Sequence, residues 1–396
     1  MPLGPTAIEP ILPEHGISAL EDLAGSVIER SAALAEKVRA PLRADLAEMT
    51  RWMHCYYSNL IEGQPTRIRD IEAALRHDFS DQPKQRDLQK LALAHLDCQR
   101  WAAGYAGSPF APAFFRELHL RFYSALPPGL RTATSTKGQK EPLVAGTFRD
   151  RDVQVGDHIS PPFELVPPLM DHFQRRYEDM EGSRMLRIIA IGASHHRMAW
   201  IHPFRDGNGR VIRLFSDTLI RQLGIDGGGL WSLSRGLAIH RKDYYAHLAG
   251  ADEERSSASD GRGHLSERRL GEFCRFVLET MLDQISYMDR LLDLEALAGR
   301  IGRYVGTEAE LGLEADRVFL LLREALYRGE FGRGEAGRIV GASERTGRTA
   351  LVAALGAGVL RSETPKGAVR LALPAKVLPA YFPRLFPAGG DASLDG

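Results

Sequence analysis

The run His202-Pro203-Phe204-Arg205-Asp206-Gly207-Asn208-Gly209-Arg210-Val211-Ile212-Arg213 sets one imidazole, one carboxylate, one side-chain amide, two glycines and three guanidiniums within twelve residues. Such a density of unlike polar groups is costly to bury and serves no purpose on a plain surface. Only His202 has an ordinary pKa that lets it accept a proton near neutrality, which makes it the candidate base. The spacing predicts a tight turn over Gly207-Asn208-Gly209-Arg210, followed by a helix begun by the apolar Val211, Ile212, Leu214 and Phe215. Bare backbone N–H groups converging at the positive end of a helix bind anions. Asp206 is a hard oxygen ligand beside that cradle, suited to Mg2+ held against a nucleotide. Asn208 can donate to a phosphate oxygen without adding charge. Arg210 and Arg213, three apart on the first helical turn, share a face and can fork onto two phosphate oxygens. Phe204 is expected to point inward and anchor the loop. Together these types suit nucleotidyl or phosphoryl transfer, in which positioning and charge stabilisation carry most of the catalysis.

The elements that must hold these groups read as mostly α. Residues 18–104 are dense in Leu, Ala, Arg and Glu, with few Gly or Pro inside the segments. A second block, residues 109–251, is helical at both ends around a polar, Gly/Pro-marked middle between Leu126 and Pro168. Within it, residues 146–156 alternate as a strand should. Residues 252–263 form a polar loop, residues 266–294 a helix, and residues 311–379 a small third unit. At 396 residues the chain has room for two or three domains. With 51 Lys and Arg against 51 Asp and Glu, no global field draws it to nucleic acid or membrane, so any basic patch is local. Residues 1–13 carry no signal-peptide pattern, and no apolar run reaches membrane-spanning length. Cys55, Cys98 and Cys274 are odd in number, far apart and without a CxxC spacing. They argue against a disulfide framework or a thiolate zinc site, read as small buried residues, and suit a cytoplasmic location.

The 202–213 run resembles the signature of the Fic family, H-P-F-x-[D/E]-G-N-G-R-x-x-R, at every specified position, and His195 and His196 before Trp200-Ile201 share the family's look. The resemblance implies a Fic-type helical domain with a small β-hairpin flap. It also implies transfer of AMP from ATP to a Ser, Thr or Tyr hydroxyl of a target protein. By that resemblance His202 is the general base, Asp206 the Mg2+ ligand, Gly207, Asn208 and Gly209 the anion-binding turn, and Arg210 and Arg213 the phosphate-holding arginines. The intact GNGR turn favours AMP transfer over the phosphotransferase branch. The flap resembles Gly146-Thr147-Phe148-Arg149 followed by Val153-Gln154-Val155-Gly156, so Phe148, Arg149, Val153 and Val155 are the expected target-docking residues, with target backbone pairing as an added strand. The insertion at 131–142 lengthens the approach to the flap. Upstream, Ser58, Glu62 and Gly63 resemble the family's inhibitory motif, [S/T]-x-x-x-E-[G/N], in which Glu62 pairs with Arg213 and withholds it from the γ-phosphate. The same carboxylate suits the reverse reaction, removal of AMP. Tyr244 and Tyr245 lie where relatives place an aromatic pair beside adenine, although Asp252 stands where they often carry Asn.

The C-terminal unit reads as a helix at 333–340, a turn at 341–343, a second helix at 344–355 and a two-stranded wing at 360–373: a winged helix-turn-helix. Residues 316–372 hold ten basic and six acidic residues, with Arg345, Arg348 and Lys366 on the recognition helix and wing. DNA binding, protein interaction and homodimerisation all stay open, and so does a DNA-binding regulator whose Fic domain senses nucleotide. Gly332-Arg333-Gly334-Glu335-Ala336-Gly337 matches GxGxxG, but with no strand expected before it a dinucleotide site is not expected. The expected partition is an N-terminal helical region carrying the inhibitory helix (1–105), a catalytic domain (106–255), a linker helix (256–310), the winged helix-turn-helix (311–380) and a tail (381–396).

Overall fold

The structure, a computed structural model, describes residues 3–134, 139–180 and 182–386. The N-terminal region folds as α1 (Ile17–Glu36), α2 (Ala40–Ile61), α3 (Ile68–Leu75) and α4 (Pro83–Ala103). Prolines sit in the first turns of α2 and α4, where the missing N–H would have no intrahelical partner. Helix α5 (Pro112–Ser124) buries Phe114, Phe115, Leu118 and Phe122. Two hairpins follow. β1 (Thr132–Thr134) pairs antiparallel with β2 (Lys140–Pro142), Thr132 opposite Pro142. β3 (Gln154–Val155) pairs with β4 (His158–Ile159), Gln154 opposite Ile159. The first hairpin was not expected; its sequence gives no apolar alternation. Residues 135–138 of the expected insertion lie outside the described residues.

Helices α6 (Val166–Glu178), α7 (Arg184–Ile201), α8 (Asn208–Gln222), α9 (Leu233–Ile239) and α10 (Arg241–Gly250) come next. Ile188 to Ile201 of α7 are buried almost without interruption, because α1, α6, α8 and α11 (Glu267–Leu291) all pack against it. That corrects the reading of residues 256–310 as a linker. Phe273, Cys274, Val277, Met281 and Met288 give α11 an apolar stripe that lies on α1 and α7, so it is part of the core. The three cysteines are buried and free.

The chain continues through α12 (Leu294–Thr307), α13 (Ala315–Arg328), β5 (Glu330–Phe331), α14 (Ala336–Ile339), α15 (Glu344–Gly356), β6 (Leu360–Arg361), β7 (Val369–Leu371) and α16 (Leu378–Tyr381). The strands form an antiparallel sheet ordered β5-β7-β6. Where a helix over 333–340 was expected, a 3-10 turn at Arg333–Glu335 runs into the single-turn α14. A strand, β5, does precede the GxGxxG run, contrary to expectation. Its sheet is antiparallel, and Gly332 N–H is taken by Glu335 Oε2 at 2.8 Å, so no βαβ phosphate turn results. Ser343 caps α15 by accepting from Thr346 N–H at 3.3 Å.

This C-terminal unit rests on α2. Arg361 of β6 pairs with Asp45, Tyr57 O–H donates to the Leu385 carbonyl at 2.9 Å, and the Tyr56 ring meets Phe386 edge-on at 5.8 Å. Of the expected tail, residues 387–396 lie outside the described residues. Among the described residues, no helix is long and apolar enough to cross a membrane.

Candidate active site

Helix α7 ends at His202, whose left-handed backbone (φ 49°) turns the chain out while its N–H still bonds Met198 O at 3.1 Å. Helix α8 starts at Asn208, three residues earlier than the expected Val211. The stop between them is the loop 202–207, and Gly207 is the N-cap with φ 82°. A side chain there would be strained, and its Cβ would also stand 2.7 Å from the Tyr123 ring. The N–H groups of Asn208, Gly209 and Arg210 therefore lie in the first turn of a helix, where no intrahelical acceptor exists. Val211 N–H is the first to be paired, with Gly207 O at 3.1 Å. The expected anion cradle is thus a helix N-terminus rather than a separate turn.

The Asn208 side chain is turned back onto the loop before it. Its Oδ1 accepts from Phe204 N–H at 2.9 Å and its Nδ2 donates to Phe204 O at 2.8 Å. This pair of bonds closes the loop on itself. Phe204 points inward as expected and stacks on His119, centroids 4.0 Å apart. His119 Nδ1 accepts from Gly146 N–H at 2.8 Å, so Nε2 carries the proton and donates to Asp206 O at 3.3 Å. Burial holds its pKa down at about 4. Tyr123 O–H donates to Asp206 Oδ2 at 2.8 Å and orients an otherwise exposed carboxylate. Neither His119 nor Tyr123, both from α5, was singled out in the sequence.

The His202 ring bonds the Ala199 backbone. Burial, then the nearby positive charges of His158 and Arg149, push its pKa down to about 4. Arg149, expected to dock the target, is instead an internal tie. Its side chain is fully buried, with Nε donating to His202 O at 2.9 Å, Nη1 to Arg151 O at 3.2 Å and Nη2 to Pro161 O; its backbone N–H bonds Pro203 O at 2.8 Å. Residues 146–149 are accordingly no strand. Phe148 packs on Phe204 at 5.4 Å. The hairpin is shorter than expected: Val155, half exposed, and Ile159, 76 % exposed, form its apolar rim, while Val153 is partly buried and accepts from Ser160 N–H at 3.3 Å. Arg205 is drawn away from the loop by Glu141 of β2, which also accepts from Arg151 at 2.8 Å.

His158 of β4 ties the hairpin to α7. Its Nδ1 meets Asp252 Oδ2 at 3.0 Å and its Nε2 meets Trp200 O at 3.0 Å. A carboxylate and a carbonyl only accept, so both bonds require the imidazolium. Burial opposes that charge, but the Asp252 and Trp200 bonds outweigh it and hold the pKa above 6.5. The folded value exceeds the unfolded one, so the bridge stabilises fully below pH 6.5 and is lost as pH rises through the folded value. Asp252→Asn is expected to drop the His158 midpoint, followed by its ring proton shift in NMR, below 6.5; an unchanged midpoint would reject the bridge. Asp252 Oδ1 also takes His196 Nε2 at 3.0 Å, so both its carboxylate oxygens are paired with histidines.

Tyr244, the first of the expected aromatic pair, faces the interior. It is buried, and its O–H donates to His195 Nε2 at 2.9 Å. The other ring nitrogen donates to Ser216 Oγ at 2.8 Å, and Ser216 donates on to Ile212 O at 3.1 Å. Tyr245 alone of the pair is exposed, at 43 %.

The end of α2 meets the start of α8. Arg213, 3 % exposed, donates Nε to Ser58 Oγ at 2.9 Å and Nη2 to Ser58 O at 3.0 Å and to Glu62 Oε1 at 2.6 Å. Burial alone would raise the Glu62 pKa, but Arg213, Arg210 and His202 hold it below the ordinary carboxylate value. Burial likewise opposes the Arg213 charge, and Glu62 outweighs it. Glu62 Oε1 sits so close over the α8 N-terminus that a methyl group on Gly209 would collide with it. The carboxylate thus occupies the very end of the helix to which a phosphate would be drawn. Gly63, with φ 71°, reverses the chain immediately after it.

Residues 110–220 match the model of the Fic/DOC family. Among curated proteins, the chain is 36 % identical over 87 residues to the protein adenylyltransferase Fic of Drosophila ananassae, covering 22 % of this chain and 18 % of that one. It is 31 % identical over 116 residues to the protein of the same name from Aedes aegypti, covering 29 % and 22 %. It thus spans about a fifth of the length of these relatives. The crystal structure of a Fic family protein from Desulfovibrio desulfuricans G20 superposes over 93 % of this chain and 98 % of that one, with a TM-score of 0.50 at 20 % identity, and shares the mostly helical fold. Residues 110–220, which hold the 202–213 motif, are thus similar to the Fic/DOC family domain, and the chain shares the mostly helical fold of a Fic family protein.

Proposed function

We propose that this protein is a protein adenylyltransferase that moves AMP from ATP to a Ser, Thr or Tyr hydroxyl of a target protein and is held in check by Glu62. The observation that carries this reading is the convergence of His202, the N–H groups that open α8, Arg213 and Asp206 on one loop. The target hydroxyl gives its proton to the His202 ring nitrogen that does not face Ala199. Its oxygen bonds the α-phosphorus, the bond from that phosphorus to the β-phosphate bridging oxygen breaks, and pyrophosphate leaves. The N–H groups of Asn208, Gly209 and Arg210 and the freed Arg213 guanidinium hold phosphate oxygens. Val155 and Ile159 give the β3–β4 hairpin an apolar rim against which a target segment docks as an added strand.

The donor set fits Mg2+. Asp206 offers one oriented oxygen donor set beside the phosphates, and among the described residues no group of three His, Cys, Asp or Glu would build an all-protein site. Mg2+ is commonly held this way, by one or two carboxylates with phosphates and water. When bound it neutralises charge on the phosphates. Removing the Tyr123 hydroxyl (Tyr123→Phe) is expected to raise the Mg2+ concentration for half-maximal transfer by about tenfold or more; an unchanged requirement would take Asp206 out of that role.

The decisive experiment is intact mass of the wild type and Glu62→Gly after incubation with each nucleoside triphosphate. An added AMP supports the reading, and a phosphate alone rejects it. Removal of AMP is the second reading, favoured by the partly exposed Glu62 carboxylate close to His202; a pre-modified target offered with Mg2+ and no ATP tests it. For the C-terminal unit, α14, its Gly341 turn, α15 and β6–β7 support the winged helix-turn-helix reading. Arg345, Arg348, Thr349 and Val352 share the outward face of α15. Duplex DNA is the partner that face suits, and a salt-dependent shift of labelled DNA is the test.

A further inference from the structure

Arg210 of α8, the other arginine proposed to hold phosphate, is already engaged. Its Nε donates to Asn59 Oδ1 at 3.1 Å, its Nη2 donates to Gln64 Oε1, and its plane lies over the Phe122 ring at 5.2 Å. It is 5 % exposed. Both acceptors come from the same place as Glu62. Helix α2 stops in a Schellman turn, with Gly63 N–H on Leu60 O at 2.9 Å and Gln64 N–H on Asn59 O at 2.8 Å. That stop folds Gln64 back beside Asn59, so two side-chain carbonyls of one turn face one guanidinium. Asn59 is itself fully buried and fixed by an Nδ2 contact with Cys55 Sγ at 3.6 Å.

We propose that Asn59 and Gln64 form a second latch, which withholds Arg210 from the nucleotide as Glu62 withholds Arg213. The inference rests on the reading of this loop as a triphosphate site. The two latches differ in kind. Glu62 brings negative charge to the α8 N-terminus and opposes the ligand outright. The amides bring none; they compete only for the donors of Arg210, so they set how tightly phosphate is held once Glu62 has moved. A hydrogen bond to a charged group is worth about tenfold in an equilibrium. The family's inhibitory pattern specifies Ser58, Glu62 and Gly63, and neither Asn59 nor Gln64 belongs to it.

Equilibrium binding of ATP, pyrophosphate and AMP to the full chain carrying Glu62→Gly tests this, with Gln64→Ala or Gln64→Glu added. Gln64 is partly exposed, so both variants are expected to fold, and thermal unfolding checks that they do. Gln64→Ala is expected to tighten ATP and pyrophosphate about tenfold, leave AMP unchanged, and lower KM for ATP with kcat little altered. Gln64→Glu, which offers Arg210 a carboxylate, is expected to weaken both by at least as much. Weaker or unchanged ATP binding in Gln64→Ala overturns the latch and makes Gln64 a residue that prepares Arg210 for phosphate. If ATP tightens as expected while no AMP is transferred, the latch stands and the transferase reading fails. If AMP is transferred and ATP does not tighten, the latch fails alone.

Discussion

Replacing His202 with alanine in the Glu62→Gly chain is expected to lower AMP transfer by about a hundredfold to ten-thousandfold, the range a positioned general base contributes. ATP binding should survive, because the proposal assigns the phosphates to α8 and its arginines rather than to the ring. The pH dependence adds a sharper test. A base must be neutral to act, and His202 is held down at about 4 by burial first and then by the charges of His158 and Arg149. Transfer should therefore stay level from neutrality down through pH 5.5 and fall only as pH approaches 4. An ordinary histidine would lose half its activity near 6.5. Initial rates with labelled ATP across pH 4–8 decide it; a midpoint near 6.5, or a His202→Ala chain that keeps its rate, would remove His202 from the role of base.

Glu62→Gly is expected to raise transfer by about tenfold to a hundredfold over the wild type. The buried Arg213 spends its Nη2 on Glu62 and Ser58 and its Nε on Ser58. Losing a charge-assisted bond of this type shifts an equilibrium by that order. The carboxylate also stands at the positive end of α8, where its charge repels a triphosphate. Glu62→Gln separates the two effects, since it keeps the bulk and removes the charge. A gain close to that of Glu62→Gly assigns the block to charge, and little gain assigns it to occupancy of the site. Equal rates for wild type and Glu62→Gly would end the inhibitory reading.

What could be read in the sequence was what the chain holds contiguously. His202 to Arg213 sit within one loop and one helical turn, so residue types and spacing mark them as a candidate site, whereas Ser58, Glu62 and Gly63 read alone as a helix stop and were singled out by the family resemblance. The mostly helical class followed from composition and periodicity. Partnerships across the fold were hidden. Nothing in α5 marks His119 and Tyr123 as the groups that orient Asp206, about eighty residues downstream, and nothing near Arg149 says that its charge is spent on carbonyls. Asn208 illustrates a different failure: an amide in an anion loop suggests a ligand, yet a residue at the first turn of a helix can reach back to the loop before it. Helix α8 was expected to begin with its first apolar residue, although a left-handed glycine can start it earlier. The amphipathic α11 lay after a polar loop and was taken for a spacer; only its neighbours show that its stripe is covered.

Helix α2 is pinned at both ends, by Arg361 on Asp45 and the Leu385 carbonyl on Tyr57 as well as by Arg213 on Ser58 and Glu62. Withdrawing it bodily would tear the C-terminal unit from its seat. Melting only the turn from Ser58 to Gly63 frees Arg213, and Arg210 from Asn59, yet leaves the Asp45 and Tyr57 attachments intact, and single-turn openings at helix ends lie at the low end of a protein's stability scale. On the proposed reading, the inhibitory element therefore behaves as a fuse at the tip of a fixed rod. Its threshold is set by half a dozen residues, and it can be retuned by substitution without disturbing the rest of the molecule.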